Sequence, residues 1–274
     1  YRLARRLLRH PIGVVGLTMV GLVVLAAVLA PWLSLADPIT QSLGDRLQPP
    51  SATHLLGTDT LGRDLLSRVV WGARPTLAIV ALVLLTSVPV GLLVGAAAGL
   101  WGGWLDAALM RLADVFMAFP RLILAIAVAA TLSTGLWTAV IAIAVTGWPP
   151  YARVARAEIA ALRRAEFIQA AKALGASRAR LLLRHALPLC LPSAVVRAAL
   201  DAPGIVLIVS GLGFLGLGLP PPAPEWGAMV AEGRAIVFEA WWVSTLPGVM
   251  ILWLSLGFNF VGDALRDVVD PGVK

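Results

Sequence analysis

Cysteine, histidine and lysine are nearly missing from this chain, and each scarcity removes a class of chemistry. Cys190 is alone among 274 residues, so no intrachain disulfide forms and a small core side chain is its default reading. The three histidines, His10, His54 and His185, lie in three separate regions and make no catalytic constellation. Neither lysine, Lys172 or Lys274, follows glycine, so the sequence holds no Walker A loop and is not an ATPase by that route. Charge is thin as well. Only 14% of residues are charged against 59% hydrophobic, and the mean hydropathy is +0.88. That balance excludes a soluble chain and predicts an all-α integral membrane protein, because helices satisfy their own backbone in lipid.

What is present is a series of long apolar runs. Spans are expected at residues 12–30, 77–100, 107–132, 137–155, 189–219 and 241–261. They divide the chain into an N-terminal segment, 1–11, a membrane domain, 12–265, and a tail, 266–274. Within that domain, loops 31–74 and 220–240 fall on one side and the polar stretch 156–188 on the other. A signal peptide also starts with basic residues, but 19 apolar residues without a small-residue cleavage site favour an uncleaved first span. Because the sequence starts at Tyr1, residues upstream are expected.

The net charge of +7 has a topological explanation that makes nucleic acid an unneeded partner. Arg2, Arg5, Arg6 and Arg9, the eight cations between Arg153 and Arg184, and Arg266 with Lys274 share one side in a six-span scheme. Arg46, Arg63, Arg68, Arg74 and Arg234 lie on the other. Fourteen against five follows the positive-inside bias and places both termini and residues 156–188 in the cytoplasm. Trp32, Trp71, Trp137, Trp241 and Trp242 fall near span ends, as interfacial aromatics do.

Residues 151–188 are the one long basic stretch. Phe167, Ala171 and Leu174 recur at helical spacing, Gly175 interrupts, and a second helical run ends at Pro188. This reads as a helix-turn-helix elbow between two spans. A basic amphipathic helix resting on anionic lipid is the other reading of the same residues. Elsewhere, Gly91, Gly95 and Gly99 give the second span one small face for close packing. Arg111 and Asp114 are spaced as an i,i+3 pair, and Arg197 and Asp201 as an i,i+4 pair inside the fifth span. Charges at that depth are pathway candidates, or else an intrahelical pair stabilising a bent helix. His54, Asp59 and Asp64 are spaced poorly for a metal; a loop network built from Asp59, Arg63 and Asp64 is the plainer reading. A literal GxGxxG at Gly211–Gly216 follows a span and precedes three prolines, so its context excludes a dinucleotide loop.

Four separated motifs resemble one family. Gln169-Ala170-Ala171, Gly175 and His185-Ala186-Leu187-Pro188 resemble the EAA loop of the permease subunits of binding-protein-dependent ABC importers. That family carries Glu at the position of Gln169 and an aliphatic residue at His185. Residues 54–68, including Gly57, Thr58, Asp59, Gly62, Arg63 and Asp64, resemble the LGTDxLGRDxxSR signature of the dipeptide, oligopeptide and nickel branch. Phe214–Gly218 resembles its FLGLG, and residues 262–271 its GDxLRDxxDP. Ile208 stands where relatives often carry an acid, so no pathway role passes to it.

The resemblance implies a type I ABC importer-like permease with six transmembrane helices and a cytoplasmic coupling elbow, in a bacterial inner membrane. It implies ATPase coupling through Glu166, Gln169, Ala170, Ala171, Gly175, His185, Leu187 and Pro188. The implied partners are a homologous second permease, two ATPases that bind ATP and Mg, an extracytoplasmic solute-binding protein and membrane lipid. No cofactor or metal is expected on this chain. Substrate choice among peptides, glutathione-like compounds, nickel and metal chelates stays open. A membrane scaffold without transport and a membrane-embedded enzyme are the readings from other classes.

The topology is testable directly. In a Cys190→Ser background, Ser51→Cys or Pro222→Cys reacts with an impermeant thiol reagent from outside intact cells, whereas Ser177→Cys does not. Labelling at Ser177→Cys would overturn the six-span scheme.

Overall fold

In a computed structural model, the structure describes residues 6–33, 35–163 and 165–269. Arg2, Arg5 and Lys274, named above, lie outside the described residues, as do Arg164 of the basic stretch and Asp270 and Pro271 of the C-terminal motif. Among those described the fold is helical, with extended pairing limited to one bridge between Thr58 and Asp64.

The first helix, α1, spans Pro11–Leu29 and starts on Pro11, whose missing amide would be unpaired there anyway. Helix α2 covers Leu65–Trp101 and is opened by the Asp64 carboxylate, which accepts from the Ser67 amide at 2.8 Å. At 37 residues it is about 55 Å long, well beyond the hydrocarbon thickness. The expected outer loop therefore ends at Asp64, and residues 65–74 are helical.

Residues 107–132, expected as one span, are two helices, α3 at Gly103–Ala118 and α4 at Arg121–Ala129, bent by 90°. Pro120 causes the break: it lacks an amide, and it holds Phe119 in the extended region at φ −99° and ψ 143°. The fourth expected span is likewise a pair, α5 at Leu136–Gly147 and α6 at Pro149–Leu162, meeting at Trp148. Helix α7, Glu166–Ala173, forms the elbow and is followed by a single turn at Arg178–Arg180. The chain does not stop at Pro188. A π-turn over Leu181–Ala186 leads straight into α8, Leu187–Phe214. Pro188 cannot supply an amide to the Arg184 carbonyl, and the wider turn lets Leu187 donate to Leu182 instead. Helix α8 stops at Phe214, five residues before the expected span end. After it come α9, Trp226–Gly233, and α10, Trp241–Val269, which runs eight residues past the expected span.

Four helical runs are long and apolar enough to cross a membrane, and five if α3 and α4 count as one span. Helices α5 and α6 are each too short alone. The two ends of the bundle differ in kind. Helices α1 and α10 lie antiparallel, with Trp253 donating to the Met19 carbonyl and His10 3.4 Å from Asp267. The start of α1, the end of α10 and the elbow share one end, and the loops around Asp59 and Glu232 share the other.

The glycine face of α2 packs as its spacing predicts. It lies on α6 so closely that a Cβ on Gly91 would come within 2.5 Å of the Trp148 carbonyl oxygen. On Gly95 it would come within 2.0 Å of the Ala152 carbonyl oxygen, and on Gly99 within 2.8 Å of that of Arg156. Backbone meets backbone along three turns, which only glycine permits. Trp242, at the start of α10, is buried against the outer loop and donates its indole N–H to the Thr58 carbonyl at 3.1 Å.

Gly95→Leu has no rotamer that avoids Ala152, so α2 and α6 must separate, at a cost of about 3 kcal/mol or more. Folded, assembled protein recovered by size-exclusion chromatography is expected to fall severalfold. Normal yield and normal transport would show that this seam is loose.

Candidate functional site

The elbow is anchored along one face and open on the other. Ile168 is buried in a cluster with Ile159, Leu181 and Leu182, which belong to the two arms that α7 connects. Gln169 adds a side-chain hydrogen bond to the Arg163 carbonyl at 3.0 Å. The helix then closes with Ala176 donating to Ala171 at 3.0 Å across Gly175, whose φ of +82° is the left-handed conformation that this cap requires. With Ile168 turned inward, Phe167, Ala170 and Leu174 form one exposed apolar stripe, and Leu174 is 89% accessible. Ala171 is half-buried against the cluster rather than facing out. Glu166 is exposed at the start of α7, and His185 and Leu187 are half-buried in and after the π-turn, where Pro188 is exposed.

A second polar feature lies inside the bundle. Arg197 and Asp201 do not pair with each other. Asp201 accepts from Arg121 at 2.6 Å and from the Tyr151 hydroxyl at 3.0 Å. One carboxylate thus ties α4, α6 and α8 together at the middle of α8. The intrahelical reading fails because tertiary partners reach Asp201 first: Arg121 at the start of α4 and Tyr151 on the face of α6 that meets Gly91. Arg197 is left with an unpartnered, buried Nε, and Arg121 with unpartnered Nε and Nη2. Arg111 and Asp114 also part, Asp114 pairing with Arg153 at 2.5 Å, while Arg156 grips Asp106 through two bonds of 3.0 and 2.6 Å. Arg121 is the residue that spacing arguments missed. Its signal is a cation directly after a proline within an apolar run.

At the opposite end, the Asp59 motif folds as a clamp. Asp59 accepts from the Leu61 and Arg63 amides, pairs with Arg63 Nε at 2.5 Å and lies 3.3 Å from Arg68. Both arginines continue to Glu232 on α9, at 2.9 and 3.6 Å. The network is local, as expected, and it also joins the loop at Arg63 to α9, 169 residues further along. Thr58 is buried beside it, bonding the Gln48 amide, with Gly57 and Gly62 at the turns on either side. His54 turns to Asp64 at 3.1 Å, away from Asp59, so those three side chains do not converge. Glu225 caps α9 by accepting from Gly227 and Ala228, and burial pushes its carboxyl above the usual range while those amides pull it back.

The Arg121–Asp201 pair makes a quantitative expectation. A double-mutant cycle of Arg121→Gln and Asp201→Asn, read by thermal unfolding in detergent, gives a coupling of about 2 kcal/mol. The same cycle with Arg197→Gln gives none. Coupling to Arg197 in place of Arg121 would restore the intrahelical pair.

Comparison with known proteins extends over nearly all of the chain. The family described as the binding-protein-dependent transport system inner membrane component matches residues 87–274, and the N-terminal TM domain of oligopeptide transport permease C matches residues 2–50. A putative peptide transport system permease of Brucella abortus is 42% identical over 271 residues, covering 99% of this chain and 91% of that protein. A probable D,D-dipeptide transport system permease of Escherichia coli is 41% identical, with coverage of 95% and 88%. The nickel transport system permease of the same organism is 40% identical, with coverage of 93% and 92%. An inward-facing structure of the MetNI methionine ABC transporter aligns with a TM-score of 0.56 at 24% identity, over 73% of this chain and 96% of that one. At that identity the likeness is one of fold.

Proposed function

The chain belongs to the binding-protein-dependent transport inner membrane components, the permease subunits of ABC importers, and from that premise we propose how its parts divide the work. It forms half of a peptide pathway and draws its energy from ATPases docked on the elbow. The observation that carries this reading is the exposed stripe of Phe167, Ala170 and Leu174 on a helix held between two bundle arms. A short apolar helix face of this kind fits a hydrophobic groove on a partner. It fits a lipid surface poorly, since Leu174 stands at a capped turn beyond the bundle instead of along a broad apolar face.

In this scheme the site residues are Glu166, Gln169, Ala170, Ala171, Gly175, His185, Leu187 and Pro188, with Ala170 at the contact and Gly175 setting the aim. ATP and Mg belong to the two ATPase subunits. The elbow and both termini face the cytoplasm, and the Asp59–Glu232 clamp faces the solute-binding protein outside. Asp201 and Arg121 border the pathway between this chain and a homologous second permease, and Arg197, the other candidate, lies one helical turn toward the elbow. Movement follows the rigid-body scheme of alternating access, with α6 and α8 carrying elbow displacement into the bundle. The nickel-transport relative supports a second substrate reading, a metal ion or chelate. A ligand screen of the cognate binding protein separates it from peptide.

Ala170, rather than half-buried Ala171, is the clean probe of docking. Ala170→Asp leaves the elbow's own packing intact but places a carboxylate in the partner's groove, at a cost of several kcal/mol. About 1.4 kcal/mol is tenfold in an equilibrium, so the ATPase is lost on gentle purification and uptake stops, while membrane abundance is unchanged. Copurification with ATPase together with normal uptake would sink the coupling assignment.

A further inference from the structure

A cavity of about 240 Å³ opens where α6, α8 and α10 converge at the elbow end of the bundle. Its polar lining is Ser193, Arg197 and Arg266; Val154, Val196, Leu200 and Val269 supply the apolar walls. We propose that this cavity binds the phosphate of an anionic phospholipid in the leaflet on the elbow side.

Three observations converge on that ligand. The first is charge. Two guanidinium groups line the space with no acid among the lining residues, and neither forms an ion pair among the described residues. Of the described acids on the surrounding helices, Asp201 is held by Arg121 and Tyr151, Asp267 faces His10, Glu158 lies against the Cys190 thiol, and Asp263 is exposed and lines no part of the cavity. Arg197 Nε is buried without a partner among the described residues, and a donor in that state calls for an acceptor that they do not provide. A phosphodiester offers oxygens to Arg197, Arg266 and the Ser193 hydroxyl together, and arginine is the side chain best shaped to hold them.

The second is depth. Val154 sits between Ala152 and Arg156, which lie opposite Gly95 and Gly99, so it is level with the last turns of α2 before Trp101. Arg266 is in the last turn of α10. Trp104, 81% exposed, stands just past that end of α2. These place Arg266 and the mouth of the cavity at headgroup level, where basic pockets between transmembrane helices take anionic lipid, and Arg197 reaches the same space from deeper in α8. The third is shape. About eight water volumes, at roughly 30 Å³ each, accommodate a phosphoglycerol group, and valine and leucine walls suit the start of its acyl chains.

The consequence for the importer lies in where the lipid sits. It touches α6 and α8, the two helices that flank the elbow, and α10. An occupied site therefore braces the arms against the rest of the bundle.

The assembled importer tests this in nanodiscs of phosphatidylcholine alone or with phosphatidylglycerol. Native mass spectrometry is expected to show phosphatidylglycerol retained on the complex. Arg197→Gln and Arg266→Gln are each expected to weaken retention about fivefold, while Arg197→Lys restores most of it. Phosphatidylglycerol should also raise substrate-stimulated ATP hydrolysis in the wild type but not in the double variant. If Arg197→Gln fails to assemble, exposed Arg266→Gln carries the comparison. Equal retention in the wild type and Arg266→Gln overturns the site. Displacement of the lipid by free glycerol 3-phosphate at matched concentration also overturns it, by making the ligand a soluble phosphate. Loss of ATPase from the wild-type complex would instead count against the coupling reading and leave lipid retention as a separate result.

Discussion

Helix α6 lies on α2 with backbone against backbone, and the rest of the molecule is arranged around that seam. Three glycines one turn apart bring no side chain of their own to the contact, so the carbonyls of Trp148, Ala152 and Arg156 approach α2 directly. In lipid no water competes for apolar surface, and close van der Waals packing of this kind is what holds helices together. The seam fixes α6, and α6 leads into the elbow. It also presents Tyr151 to the interior, where its hydroxyl finds Asp201.

That carboxylate extends the order of the seam to the remaining helices. An ionised group within a bundle needs partners, and Asp201 takes them from two other helices. Arg121 can reach it because Pro120 turns α4 by 90° from α3. Break, ion pair and seam are therefore parts of one arrangement. At the other end, Asp59 and Glu232 share two buried arginines, and the indoles of Trp226 and Trp242 bond carbonyls of Val69 and Thr58. Local hydrogen bonding there is rich enough to order loops that lack an apolar core of their own.

Much of this is legible in the sequence where the signal is compositional or periodic. Apolar runs mark the helices, the glycine repeat marks the close seam, and Gly175 marks the cap of α7. Ends and partners are harder to read. A hydropathy window cannot see that Asp64 caps α2 twelve residues before the expected span, or that a π-turn carries the chain through Pro188. Charge pairing fails for a related reason. Spacing favours Arg197 with Asp201 and Arg111 with Asp114, but tertiary neighbours from other helices hold both acids. The outward stripe of α7 is read only after Ile168 is known to point inward.

The anchored face of the elbow has a mechanical meaning. Eight residues at 1.5 Å make a lever about 12 Å long, whose one fully buried side chain, of those described, is an isoleucine set among residues of both arms. A side chain filling a hole resists sideways load through repulsion at once, yet it yields to twist about its own axis. A sideways push on α7 therefore bears on α6 and the π-turn through that packing. The stiffness of that contact sets how closely the two arms follow any displacement of α7.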